Sequence, residues 1–188
     1  MPYFDDQVFE KTDFTTEALP KGHYENCTFR LCNFAEGDLK QVNFTDCIFD
    51  ECNMSLAKLI ETQLNGIHFK NCKILGTKFE YCNPFLFSVK FTSCMMNMST
   101  FYQMKLKQTV FADCQLRETD FTETDLQEAV FKNCDLEGAT FSYSKLQKTD
   151  FRTAFHYTID PENNQLKKTR FSKEGLAGLL SRYDIVID

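Results

Sequence analysis

The chain has no tryptophan, four prolines and only seven glycines in 188 residues. No glycine-rich stretch of the kind that cradles phosphate is present, so a P-loop or dinucleotide fingerprint is excluded. No apolar run approaches the roughly 20 residues that span a bilayer, and no membrane contact is expected. Met1 to Pro20 carries acids where a secretion signal needs bases, and it has no apolar stretch. A cytoplasmic protein with reduced thiols is therefore expected. A positive balance is missing too. The net charge of −6 argues against direct contact with nucleic acid. What the chain does have is 43% apolar residues, 20 phenylalanines and nine cysteines, which places it among globular proteins.

Those phenylalanines are periodic. Phe4, Phe9, Phe14, Leu19 and Tyr24 open a series of apolar residues spaced by five that runs to Phe79. The register slips by two residues at Asn83-Pro84-Phe85, resumes at Leu86 and Phe91, and continues by fives to Phe151. All thirty central positions are apolar. Chance would leave that many uncharged on the order of once in ten thousand trials. From Gly22 to Ala154 the residue three after each centre, which away from the slip is two before the next, is uncharged and small in most repeats, and all nine cysteines occupy this position. Two inward residues in five fit neither a helix nor a flat strand. They fit a chain that turns a corner every five residues. Every fourth repeat reads Phe9, Phe29, Phe49, Phe69, Phe91, Phe111, Phe131 and Phe151. The superperiod of twenty predicts four sides.

Thr124-Asp125-Leu126, Cys134-Asp135-Leu136 and Thr149-Asp150-Phe151 resemble the Ala-(Asp/Asn)-Leu-x-x consensus of the pentapeptide repeat family. The resemblance covers about residues 2–154. It implies an all-β, right-handed quadrilateral β-helix over residues 1–154, with a two-residue bulge near 83–85. Residues 155–188 are expected to form a C-terminal tail that caps or dimerises the rod. Ser172 is placed as its N-cap, with Phe171 and Leu176 as a hydrophobic staple. A short helix (Leu176, Leu179, Leu180, Tyr183) and a terminal strand (Ile185 to Ile187) follow. A homodimer through this tail is the expectation, and capping alone is the alternative. The Qnr- and MfpA-like branch of the family, associated with quinolone resistance, implies DNA mimicry directed at DNA gyrase or topoisomerase IV.

The sequence offers no catalytic, cofactor or metal site. The column of cysteines carries one thiol per coil, which suits packing better than zinc ligation. His23, His68 and His156 are scattered. No enzymatic activity is expected. Two binding surfaces are. The first is an acidic belt over residues 113–137: Asp113, Glu118, Asp120, Glu123, Asp125, Glu128, Asp135 and Glu137. The second is an apolar patch at Phe85, Phe87, Met95, Met98 and Tyr102, which would serve an unrelated protein partner.

Overall fold

The computed structural model describes residues 1–183, 185 and 186. The chain winds into a four-sided β-helix, and its corners explain why the repeat has five residues. In each ordinary repeat the central residue points inward and the residue two further on takes a left-handed conformation, as at Glu36 (φ 56°), Leu56 (φ 57°) and Glu118 (φ 55°). At many corners the next residue closes the turn, for example Gly37 N–H to Phe34 O at 2.9 Å and Ala57 N–H to Met54 O at 3.1 Å, whereas the corners after strands, such as Phe44 to Cys47, are open. A positive φ at the third residue is the mark of a type II turn. For a side chain with a Cβ it costs about 1 kcal/mol or more. The coil above offsets this by bonding the same residue: Glu36 N–H reaches Ser55 O at 2.9 Å, and Leu56 N–H reaches Leu75 O at 2.9 Å.

Sides are numbered here in chain order from Phe4. Side one carries a four-stranded parallel sheet of β1 (Tyr3–Asp5), β3 (His23–Glu25), β5 (Asn43–Thr45) and β7 (Gln63–Asn65). Side two carries seven parallel strands: β2 (Val8–Glu10), β4 (Thr28–Arg30), β6 (Ile48–Asp50), β8 (Ile67–Lys70), β9 (Val89–Thr92), β10 (Val110–Ala112) and β11 (Val130–Lys132). Partners are twenty residues apart, as in Phe49↔Phe69, until the slip makes Phe69 pair with Phe91. The all-phenylalanine side is a column of stacked rings. Phe29 and Phe49 lie 4.8 Å apart, Phe91 and Phe111 5.3 Å, and Phe131 and Phe151 4.9 Å.

The small inward position also has a hydrogen-bonding reason. Thr62 donates its hydroxyl to Leu39 O at 2.7 Å, and Cys47 donates its thiol to Tyr24 O at 3.3 Å. Thiols and hydroxyls thus serve the same carbonyls of the preceding coil. All nine cysteines are buried and unpaired. Burial pushes the Cys47 thiol up to about 12 and raises Cys32 as well.

Three expectations change. Leu86, read as inward, is 56% exposed, whereas Phe87, read as outward, packs against the core. The ladder breaks between Asn83 and Ser88, whose N–H groups still bond Thr62 O and Leu64 O. Leu86 takes the left-handed corner (φ 56°) and the two-residue insertion brings Phe87 round to the core. Parallel bridges also continue past residue 154, pairing Lys145 with Gln165 and Asp150 with Arg170. Phe171 stacks on Phe151 at 5.5 Å. Lastly, the tail helix is two 3-10 segments, Glu174–Leu179 and Ser181–Tyr183. Ile185 and Val186 form no strand, and Ile187 lies outside the described residues.

The tail is drawn tight against the rod. Ser172 Oγ accepts the Gly175 N–H at 3.1 Å, as an N-cap serine would. Ile159 N–H bonds Gly178 O at 3.0 Å. A Cβ on Gly178 would sit 2.1 Å from Tyr157 O, and one on Gly175 would sit 1.9 Å from the Tyr157 hydroxyl. These glycines are there for close approach. Leu179 packs on the core, while Leu176, Leu180, Tyr183 and Ile185 are exposed.

Candidate interaction surfaces

The repeat fixes where each acid of the 113–137 belt points. Asp113 lies on side two, and Glu118, Asp135 and Glu137 lie on side three. Asp120 and Glu123 lie on side four, and Asp125 and Glu128 on side one. The belt therefore encircles the rod. Asp120, Glu123, Asp125 and Glu128 do not share one corner: Glu123 and Glu128 stand at successive corners (φ 55° and 60°), with Asp120 and Asp125 in the ladders of sides four and one.

Three of these acids are also part of the coil. Asp120 Oδ1 accepts the Thr122 N–H at 2.8 Å, Asp125 that of Gln127 at 3.3 Å and Asp135 that of Glu137 at 3.3 Å. Asp38 and Asn53 make the same bond elsewhere. An Asp or Asn before the central residue thus caps its own corner, which is the Asx-turn preference for a side chain that bonds backbone two residues on.

Several belt acids are also neutralised. Asp125 pairs with Lys107 at 3.5 Å, and Glu128 with Lys148 at 2.5 Å. Hydrogen bonds from Gln108 and Lys148 hold the Glu128 carboxyl below the usual range. Asp135 is 6% exposed and receives Arg117 Nε at 2.6 Å and His156 Nδ1 at 2.9 Å. Burial pushes its carboxyl up, but these two bonds prevail and hold it low. Glu137 joins them at 3.4 Å from Arg117. Asp135, Glu137 and His156 are the one cluster of three possible metal ligands among the described residues. Arg117 already fills the positive role there, so the cluster reads as an ion-pair network.

Glu118, Asp120, Glu123, Asp135 and Glu137 share sides three and four with Asp160 and Glu162. Those last two fall beyond the repeat as read from the sequence. Sorting charges by position within the twenty-residue superperiod past residue 154 is the signal that would have found them. Arg182 pairs with both at 2.9 Å.

The apolar patch is dispersed. Met95 and Met98 lie on side three, Tyr102 on side four, and Phe85 on the bulge. These four are exposed, Phe85 at 68%. Phe87 and Tyr102 do come together, in a shallow cleft of about 350 Å³ that Pro84, Met104 and Lys105 also line. No helix among the described residues is long and apolar enough to cross a membrane.

The chain matches the family model for the pentapeptide repeat region over residues 22–84 and 85–178. Among solved structures it is similar to two trypsin-treated variants of QnrB1, a plasmid-mediated fluoroquinolone resistance protein. One is 19% identical with a TM-score of 0.58, covering 100% of this chain and 92% of that one. The other is 19% identical with a TM-score of 0.51 and covers 100% of both chains. A comparison with curated protein sequences gave no match. At this identity the likeness speaks for the fold, and the family match covers most of the chain: the protein belongs to the pentapeptide repeat family.

Proposed function

We propose that this protein acts by binding another protein, without catalysis, and that sides three and four of its C-terminal half present a DNA-like acidic surface to a type II topoisomerase such as DNA gyrase. The observation that carries this reading is the sidedness of the acids. From Glu118 to Glu162 those two sides hold seven acids against Arg117 and Arg182. At about 4.8 Å per coil this stretch rises roughly 11 Å. Duplex DNA carries about six charges over that distance, at one per ~1.7 Å. The match is local, and the whole rod with its net charge of −6 is far less charged than DNA of equal length. The exposed Leu176, Leu180, Tyr183 and Ile185 support docking of a second copy on the C-terminal cap, which would double the acidic surface about a twofold axis.

The test is gyrase supercoiling at low salt with micromolar protein added. Wild type should inhibit, and Glu118→Gln, Glu123→Gln and Glu137→Gln together should weaken inhibition at least about tenfold with an unchanged melt, since steering charges act mainly on association. A wild-type protein without effect on supercoiling sinks the proposal. The cleft lined by Phe87 and Tyr102 would then be the better candidate, and its binding should tolerate salt.

A further inference from the structure

Sides one and two of the C-terminal half carry the opposite charge. Lys105, Lys107, Lys145, Lys148, Lys167 and Lys168 lie on side one, and Lys90, Lys132, Arg152, Arg170 and Lys173 on side two, all exposed. The ladder sets several in rows: Lys105, Asp125 and Lys145 pair coil over coil, as do Asp150 and Arg170. Four acids share these sides, and three are occupied. Asp125 holds Lys107, Glu128 holds Lys148, and Asp150 lies 2.7 Å from Arg152 and 3.6 Å from Arg170. Among the described residues, Lys90, Lys105, Lys132, Lys145, Lys167 and Lys168 pair with no carboxylate. Lys148 and Lys168 occupy equivalent corners of successive coils (φ 60° and 61°). Like charges about 4.8 Å apart repel without helping the fold.

We propose that this edge docks an extended acidic segment of a partner protein. From Lys90 to Arg170 the edge rises four coils, about 19 Å, the length of roughly six residues of extended chain. The features of a nucleic-acid site are absent. The pI is about 5.1, where such domains are strongly basic. Nine of the eleven bases are lysines, which offer point charges where phosphate forks favour arginine. From Lys105 to Arg170 no outward position on these two sides carries an aromatic ring for base stacking. The edge lies opposite the acidic surface, so this proposal stands independently of the topoisomerase reading.

A fluorescein-labelled deca-glutamate peptide, titrated with the full chain and followed by anisotropy, tests the edge. Binding should saturate at low salt and weaken about tenfold or more between 20 and 200 mM salt, as surface charge contacts do. Replacing Lys132, Lys145, Lys167 and Lys168 by Gln should weaken it at least about fivefold, while Arg at the same four positions should restore it. Lys40→Gln with Lys58→Gln, on side four, should leave binding unchanged. Three results overturn the proposal: no saturable binding at low salt, an equal loss in the side-four control, or tighter binding of a random DNA duplex of equal charge.

Discussion

At the scale of single residues, the fold rests on one large and one small side chain pointing inward in each repeat, and both are testable. Phe111 is fully buried, stacked on Phe91 at 5.3 Å and on Phe131 at 4.9 Å, with its edges against Phe101 and Phe121. Phe111→Ala should cost about 3–5 kcal/mol, because rings held by the coils above and below cannot collapse into the gap. A chemical-denaturation curve within 1 kcal/mol of wild type, on the order of a surface substitution, would contradict a packed column. The bulge gives a sharper comparison. Phe87→Ala should destabilise by about 2 kcal/mol or more, and Leu86→Ala by well under 1 kcal/mol, since only Phe87 loses core contact. A larger loss for Leu86→Ala than for Phe87→Ala would mean that the sequence register, which put Leu86 inward, was right. The cysteines ask a different question of the same positions. Their thiols donate to carbonyls and their pKa is raised at Cys32 and Cys47, so native protein should resist labelling.

At the scale of elements, the coils were legible in the sequence and the tail was not. The five-residue spacing fixes which side each residue joins, and the superperiod at Phe9, Phe29 and Phe49 fixes four sides. Both are properties of inward side chains, which the sequence records directly. Two things escape such a record. An insertion without its own periodicity leaves several ways to resume, and Leu86 and Phe87 are both apolar, so composition cannot choose between them. The tail is shaped by close backbone approach. Gly175 and Gly178 admit the 3-10 segment to Tyr157. The acidic belt was legible as composition, but its division among four sides, and the turn-capping work of Asp120, Asp125 and Asp135, appear only in three dimensions. Gly178→Ala tests the tail. A Cβ 2.1 Å from Tyr157 O must push the segment off the last coil, breaking the bond from Ile159 N–H to Gly178 O. The melting temperature should fall by several degrees, about 4 °C for each 1 kcal/mol at this size. Limited proteolysis should then cut between residues 172 and 183. A variant that melts and resists protease like wild type would show that the segment does not cap the rod.

At the scale of the whole molecule, charge separated by side implies a directional dependence on pH. In the C-terminal half, Asp135, Asp150 and Asp160 have carboxyls held below the usual range. The causes are specific. For Asp150 the hydrogen bond from Arg152 leads. For Asp160 it is the Glu162 backbone N–H, with Arg182 behind it. For Asp135, burial works the other way and is overcome by His156 and Arg117. A carboxyl whose pKa is lower folded than unfolded adds stability that is complete above its unfolded value and vanishes as pH falls through its folded one. The loss should therefore begin near pH 4 and deepen below it, and it should be felt most in the coils after residue 117. A thermal melt by circular dichroism should accordingly drop between pH 6 and pH 3. Asp135→Asn separates charge from turn capping, because an amide oxygen can still accept the Glu137 N–H while Arg117 loses the nearer of its two carboxylates and keeps Glu137. The variant should melt lower than wild type at pH 6, with a smaller further drop on acidification. A wild-type melt that stays level from pH 6 to pH 3 would rule out a stabilising role for these ion pairs and leave the coils held by their stacked rings and backbone ladders alone.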